Sequence, residues 1–367
     1  MSPIGARLRL QREALGLSLA DTAALAQLAA VVLEAAEADQ QQLTWGGLVQ
    51  VARALVVDPE VLLGLQSQPP LQLRCRTPDG ATVTLGGHDT RLLALAARTA
   101  RAVWPLAQAL GKPSTVHARR SPRQVGLDQP PFRQGYALGE AARPWFTADA
   151  QPIPSVQGLL ERHGIHVGFL ELSDAQIDAV ALIDDDMVPL VLLNRRSTRS
   201  ARPVSRRAVM AHELCHLLFD AGVDVKNLVH VSFHAWHLDI EQRARAFAPS
   251  FLAPQAALAR QASEDGQDLV HRLATTWGLS VEGAVWHAKN AGLLEANEPD
   301  DLLPSARGVS VDGNFEQQVA RRFTPDRVDA EDIEPFVEGL LAEVVVEAAQ
   351  EDLITPARAR EILRGEP

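Results

Sequence analysis

The chain has 367 residues, 46% of them hydrophobic, and a formal net charge of −11. That is enough apolar material for more than one core, because single cores stop growing at roughly 250 to 300 residues. The acidic balance excludes a general electrostatic pull toward nucleic acid, so any DNA contact has to use a local basic face. Two cysteines, Cys75 and Cys215, exclude a disulfide framework and a CxxC pair, which leaves histidines and carboxylates as the metal ligands to look for. The longest apolar runs, VPLVLLN at 188–194 and AEVVVEAA at 342–349, fall short of the roughly 18 residues of a membrane span. The opening MSPIGARLRLQREALG has no continuous apolar segment of a secretory signal, and the expectation is a cytoplasmic protein with no membrane partner.

In chain order, residues 4–65 read as a run of short helices punctuated by Gly16 and by Asp58-Pro59, with Ser18 as an N-cap. IGARLRLQREALGLSLADTAALA and the later VARALVVDPEVLL resemble the Cro/repressor-type (XRE) helix-turn-helix domain, and 1–66 are assigned to it on that resemblance. The segment in the recognition position, LAAVVLEAAEADQ at 28–40, carries Ala, Val, Leu and Glu where DNA readers project polar or basic groups. Residues 1–65 hold four basic side chains (Arg7, Arg9, Arg12, Arg53) against seven acidic ones (Glu13, Asp21, Glu34, Glu37, Asp39, Asp58, Glu60), a balance of −3. Phosphate neutralisation is poorly supported, so docking of a protein partner or homodimerisation stands beside DNA binding as the role of this module.

LQLRCRTPDGATVTL at 71–85 alternates around Pro-Asp-Gly and reads as a β-hairpin, and 91–111 as a connecting helix. Rich in Pro, Arg and Gln without periodicity, 112–134 reads as a linker with a boundary near 130, so 67–133 form a connecting region. Beyond it come a helix ending at Gly164, three strands (IHVGFLEL, DAVALID, VPLVLLN) and a long helix, which together make an α+β unit over 134–258. Residues 259–367 read as a helical C-terminal region, with two helices around a Gly-Leu-Ser turn in 255–294 and more helix in 330–364.

The chemistry concentrates in AVMAHELCHLLFDAG, 208–222. Four residues apart on a helix, His212 and His216 share a face and can reach one ion, while Glu213 lies about 100° round, placed to address a water on that ion. This is the HExxH arrangement of a zinc protease. A catalytic zinc wants three protein ligands in a roughly tetrahedral set and one open position, and a carboxylate must take the water's proton. Chance strings of this kind are expected on the order of 0.02 times in such a chain. The third ligand has to come from elsewhere, and Glu241 at the start of the amphipathic helix DIEQRARAFAPSFLAP (239–254) is one source.

AHELCHLLFD followed by EQRARAFAPSFLAP resembles the ImmA/IrrE family of metallopeptidases, in which HExxH is paired with a later ExxAxxFAxxLLxP helix that supplies the third ligand. The resemblance runs from about 135 to 255 and more loosely to 294, and it departs at Cys215, where the family has glycine, and at the Phe251-Leu252-Ala253-Pro254 ending. It implies a zincin-like domain with a small sheet, one Zn2+ (Mn2+ as a substitute) on His212, His216 and Glu241, and Glu213 as the catalytic base. It further implies cleavage of a regulatory protein, a helix-turn-helix repressor or antitoxin, that controls stress, mobile-element or defence genes. XRE-like domains accompany this family, so the two resemblances agree.

Other groups stand near this motif. His230, His234 and His237, in HVSFHAWHLDIE, can serve as an alternative third ligand, orient the water or stabilise an oxyanion. In the arginine-rich loop 194–207, Arg206 and Arg207 are candidates for substrate binding, and Asn194 for binding a peptide backbone if its strand is an edge. There is no GxSxG, Walker A or GxGxxG motif, so serine catalysis and nucleotide use have no support. The competing reading is a DNA-binding regulator whose peptidase-like domain senses a metal or ligand without proteolysis.

Overall fold

The computed structural model describes residues 3–75, 85–119, 129–148, 150–220, 228–231, 239–258, 265–295, 297–306, 315–316 and 338–365. The chain opens with α1 (Ile4–Ala14), α2 (Leu19–Leu25), α3 (Ala30–Glu37), α4 (Trp45–Ala54) and α5 (Pro59–Leu63). Ser18, Thr44 and Asp58 accept from backbone amides in the first turns of α2, α4 and α5, amides that a helix start otherwise leaves without partners. Strand β1 (Gln72–Cys75) follows, then the long α6 (Gly87–Ala109), whose buried stripe of Leu93, Ala97, Ala100 and Val103 recurs at helical spacing.

The stretch read as a linker contains α7 (Val116–Arg119), and α8 (Pro131–Phe146) begins at the boundary placed near 130. The sequence reading had no helix in the place of α8. Next come α9 (Val156–Arg162), capped by Ser155 and closed by Gly164 at φ 72°, and the strands β2 (His166–Leu170), β3 (Ala179–Leu182) and β4 (Leu190–Asn194). Their order is β2-β4-β3, with β2 parallel and β3 antiparallel to β4. Then follow α10 (Thr198–Ala201), α11 (Pro203–Cys215), a π-helical turn over His216–Asp220, β5 (Leu228–Val231), α12 (Asp239–Leu252) and α13 (Gln255–Leu258). The chain closes with α14 (Gly266–Trp277), α15 (Val281–Asn290), α16 (Glu298–Ala306), α17 (Gly339–Gln350) and α18 (Pro356–Leu363). Residues 76–84, the turn and second strand of the expected hairpin, lie outside the described residues; β1 pairs in parallel with β5.

The result is a mixed α and β architecture in which the three-stranded sheet separates two cores. Side chains alternate across a strand. On β4, Leu190 and Leu192 join a core with α1 to α6, α17 and α18, whereas Val191 and Leu193 join one with α8, α9, α11, α12, α14 and α15. Both faces are covered, which is why VPLVLLN reads as a continuous apolar run rather than an alternating one. Among the described residues no single helix is long and apolar enough to cross a membrane.

Candidate metal centre

α11 starts with Pro203 in its first turn, packs against β3, β4 and α12, and buries Val209, Met210, Ala211 and Leu214. This fixes the helix axis and roll, and with them His212 and Glu213, which are 8% and 3% exposed. After Cys215 the helix widens into the π turn that carries His216. Single π turns inside helices recur at functional sites because they re-aim one side chain without breaking the helix.

α12 brings the third group. Glu241, in its first turn and 2% exposed, stands with one carboxylate oxygen 3.1 Å from His212 Nε2 and the other 3.3 Å from His216 Nε2. The two Nε2 atoms are 3.0 Å apart, and ligand atoms of all three residues lie within 4.8 Å of one another. Burial by itself would raise the Glu241 carboxyl; hydrogen bonds and charge from the two imidazoles outweigh it and hold the carboxyl well below the usual range. Burial by itself would lower His216, and Glu241, with Glu213 adding to it, raises it instead.

The donor set fits a zinc ion. His216 Nδ1 lies 2.8 Å from an Asp220 carboxylate oxygen, so Nδ1–H donates there and Nε2 is left with its lone pair toward the cluster. Two imidazole nitrogens and a carboxylate converging in a buried place are the nitrogen and oxygen donors that zinc takes in catalytic sites. Asp220 is itself ion-paired to Arg243, two residues beyond Glu241 on α12, so the supporting carboxylate ties the π turn to the helix of the third ligand.

The approach of α12 depends on α8. An added Cβ at Gly135 would stand 2.7 Å from Ala246 Cβ, and one at Gly139 would stand 2.8 Å from Phe247 O and from Ser250 Cβ. These glycines, four apart on one helical face, let the two backbones nearly touch. Arg143, further along α8 and buried, donates to the carbonyls of Phe251 and Leu252 at the other end of α12.

Residues 160–285 match the family model of the IrrE N-terminal-like domain, Peptidase_M78. The matched span contains His212, Glu213, His216 and Glu241. The match supports a metallopeptidase, and zinc is the metal typical of that family. No curated protein matches the chain.

Within this M78-like domain the other expected residues fare differently. His234 and His237 lie outside the described residues; His230 lies on β5, and its side chain is outside them too. Asn194 is a correction: β4 is the central strand, and the amide, fully buried, donates to Asp174 O and Ile177 O and accepts from Leu172 N and Arg196 N. It shapes the loop over 172–177 and has no atom left for a peptide. Arg207 is a second correction. Fully buried, it pairs with Glu316 at 3.1 Å and donates to Ile153 O at 2.7 Å, and burial pushes it down to about 10. Arg206, half-buried near the start of α11, donates to Ser200 O and Ala201 O at the end of α10.

Cys215 packs in the core beneath α11, fully buried, where burial pushes its thiol up to about 12. It is a small apolar filler and not one of the clustered ligand residues. Sequence reasoning missed Asp220 and Arg243. The signal for the first was an acid four residues after His216 on the same helical face.

Proposed function

We propose that the chain is a zinc endopeptidase that cleaves a regulatory protein, a helix-turn-helix repressor or antitoxin, and thereby controls transcription of stress, mobile-element or defence genes. The observation that carries the reading is the convergence of His212, His216 and Glu241 inside a domain that matches a metallopeptidase family. His212, His216 and Glu241 would hold the zinc, which when bound supplies Lewis acidity that polarises a carbonyl and makes water a nucleophile near neutral pH. Glu213 takes the proton of the attacking water and delivers it to the leaving amine. Its burial keeps bulk water from competing for that proton. Asp220 holds the His216 ring in the tautomer and orientation that ligation needs.

For residues 1–66 the outer face of α3 supports a protein partner over DNA. Ala30, Val31 and Glu34 are exposed there, and no basic side chain lies on the helix to meet phosphate or a base edge. The N-terminal helices then recruit the substrate repressor or a second copy of the chain.

The decisive experiment compares wild type with Glu213→Gln on a candidate repressor. The variant should keep its zinc, read by metal analysis of the purified protein, and lose cleavage by roughly 10² to 10⁴-fold, the usual worth of a positioned base. Unchanged cleavage would remove Glu213 from the mechanism.

A further inference from the structure

The stretch 194–207 holds arginines at 195, 196, 199, 202, 206 and 207 and no acidic residue, in a chain of net charge −11. Carboxylates from elsewhere answer three of them: Glu338 lies 3.6 Å from Arg195, Asp178 3.0 Å from Arg199 and Glu316 3.1 Å from Arg207. Arg206 is spent on backbone carbonyls. Arg196 and Arg202 are exposed and form no ion pair among the described residues. Arg199, even with Asp178 beside it, keeps 46% of its side chain exposed.

A further arginine, on α12, connects this surface with the metal cluster. Arg245 comes four residues after Glu241, one turn on and about 40° round the same helical face. Side chains on a helix lean toward its N-terminus, here back toward Glu241. On that face Glu241, Ala244, Ala248 and Leu252 are buried and Arg245 alone is partly exposed, which marks where the packing of α12 on α11 opens to solvent. Arg245 lies within electrostatic range of two groups of opposite sign: burial disfavours its charge most, Glu241 favours it, and Arg199 again disfavours it. Arg202, three residues beyond Arg199, is the residue at the start of α11. Glu241, Arg245, Arg199 and Arg202 thus lead from the cluster outward. Two cations held in range of each other repel, and an anion placed between them removes that cost.

We infer that Arg245, Arg199 and Arg202 bind acidic side chains of the protein substrate beside the bond to be cut, so that the preferred substrate segment is rich in Asp and Glu. The inference rests on the peptidase reading and adds to it the class of sequence taken. Arg245, nearest the cluster, meets the acidic residue closest to the scissile bond; Arg199 and Arg202 meet those further along. Asp178 and Glu241 alternate with these arginines. They repel a continuous run of phosphates, which needs an unbroken basic track, but leave places for separate carboxylates. An acidic peptide is therefore the complementary ligand and nucleic acid is not.

Two measurements on the full chain test it. In the first, the zinc-loaded Glu213→Gln chain is titrated by fluorescence anisotropy with the labelled peptide Gly-Ser-Leu-Glu-Glu-Leu-Ser-Gly and with counterparts carrying Gln-Gln or Lys-Lys at the centre, so that no cleavage is needed. The Glu peptide should bind at least about fivefold more tightly than the Gln peptide, and the preference should shrink as salt is raised from about 0.05 to about 0.5 M. Arg245→Gln in the same background should abolish the preference with zinc content and melting temperature kept, and Arg202→Gln, at an exposed position where the fold is tolerant, should reduce it. In the second, wild type digests a mixed peptide library and the cut bonds are read by mass spectrometry; Asp and Glu should be enriched beside them, and the enrichment should vanish in Arg245→Gln. A library left uncut counts against the peptidase reading, and the anisotropy then decides the inference by itself. Equal affinity for the Glu and Gln peptides overturns it, as does a preference that survives both arginine variants, cuts without acidic enrichment, or tighter binding of a labelled thymidine octanucleotide than of the Glu peptide.

Discussion

Asp220 carries no atom to the metal cluster, yet it decides what His216 can do there. Its carboxylate holds Nδ1–H at 2.8 Å and is anchored by Arg243. Replacing it by Asn keeps the size of the side chain and removes the charge. Supporting partners of this kind are worth about 10- to 100-fold in metal affinity, so Asp220→Asn should weaken zinc binding by that factor, read by competition with a chromophoric chelator. Wild-type affinity in the variant would reduce Asp220 to a packing role. Protons give a second handle. In the metal-free chain Glu241 is depressed below its ordinary 4.5, so its stabilisation is present above that value and is lost as the pH falls through the folded-state value. His216 is raised above its ordinary 6.5, so its stabilisation is complete below that value and is lost as the pH rises through the folded-state value. Both contributions coexist between 4.5 and 6.5, where the metal-free chain should melt highest. Zinc has to displace the His216 proton, so the melting-temperature gain on adding zinc should grow from pH 6 to pH 8. A gain that shrinks over that range contradicts the ligand assignment.

At the scale of elements, the third ligand is only as well placed as the contact of α12 with α8. Gly139→Val puts branched carbon where Phe247 O and Ser250 Cβ already stand 2.8 Å from an added Cβ. Overpacking of this sort costs about 1 to 3 kcal/mol, and because α12 must shift to relieve it, zinc affinity should fall with stability. Ala137→Val, on the exposed side of α8, is the control and should change urea stability by no more than about 0.7 kcal/mol, its propensity cost. If both variants behave alike, the glycine contact does not position Glu241. This element shows where sequence reading stops. PPFRQGYALGEAARPWF holds two glycines and three prolines, residues that propensity reads as breakers, whereas in the fold the glycines serve close approach and Pro131 serves the helix start. The capped N-terminal helices, the HExxH pair and Glu241 were legible because their signals are local: a cap, a four-residue spacing, a packing face beside an acid. Whether β4 is an edge or a centre depends on partners 8 to 24 residues away, so Asn194 was misread. Arg207 was misread for a longer-range reason, since its partner Glu316 is 109 residues on.

Across the whole molecule that distant pair joins separate regions. Arg207 extends from α11, five residues before His212, and its guanidinium lies over the Phe315 ring, 4.3 Å from the centroid. It reaches the carbonyls of Ile153, Pro154 and Trp277, so one guanidinium links α11 to the entrance of α9 and the end of α14. Glu316 answers it and also accepts from Val156 N and Ser155 Oγ, in the role of a cap for α9. Both side chains are essentially inaccessible, at 0% and 1% exposure. Removing one partner of such a pair strands a buried charge and costs about 3 to 5 kcal/mol, whereas replacing both by apolar groups of like volume is often close to neutral. Arg207→Met and Glu316→Leu should therefore each be strongly destabilising in urea, and the double substitution should recover most of the loss. The double variant should also regain zinc binding, since α11 would again be held from behind by packing. Additive losses in the double variant would mean that the backbone links of Arg207 to 153, 154 and 277, and not its pairing with Glu316, hold the metal helix in place.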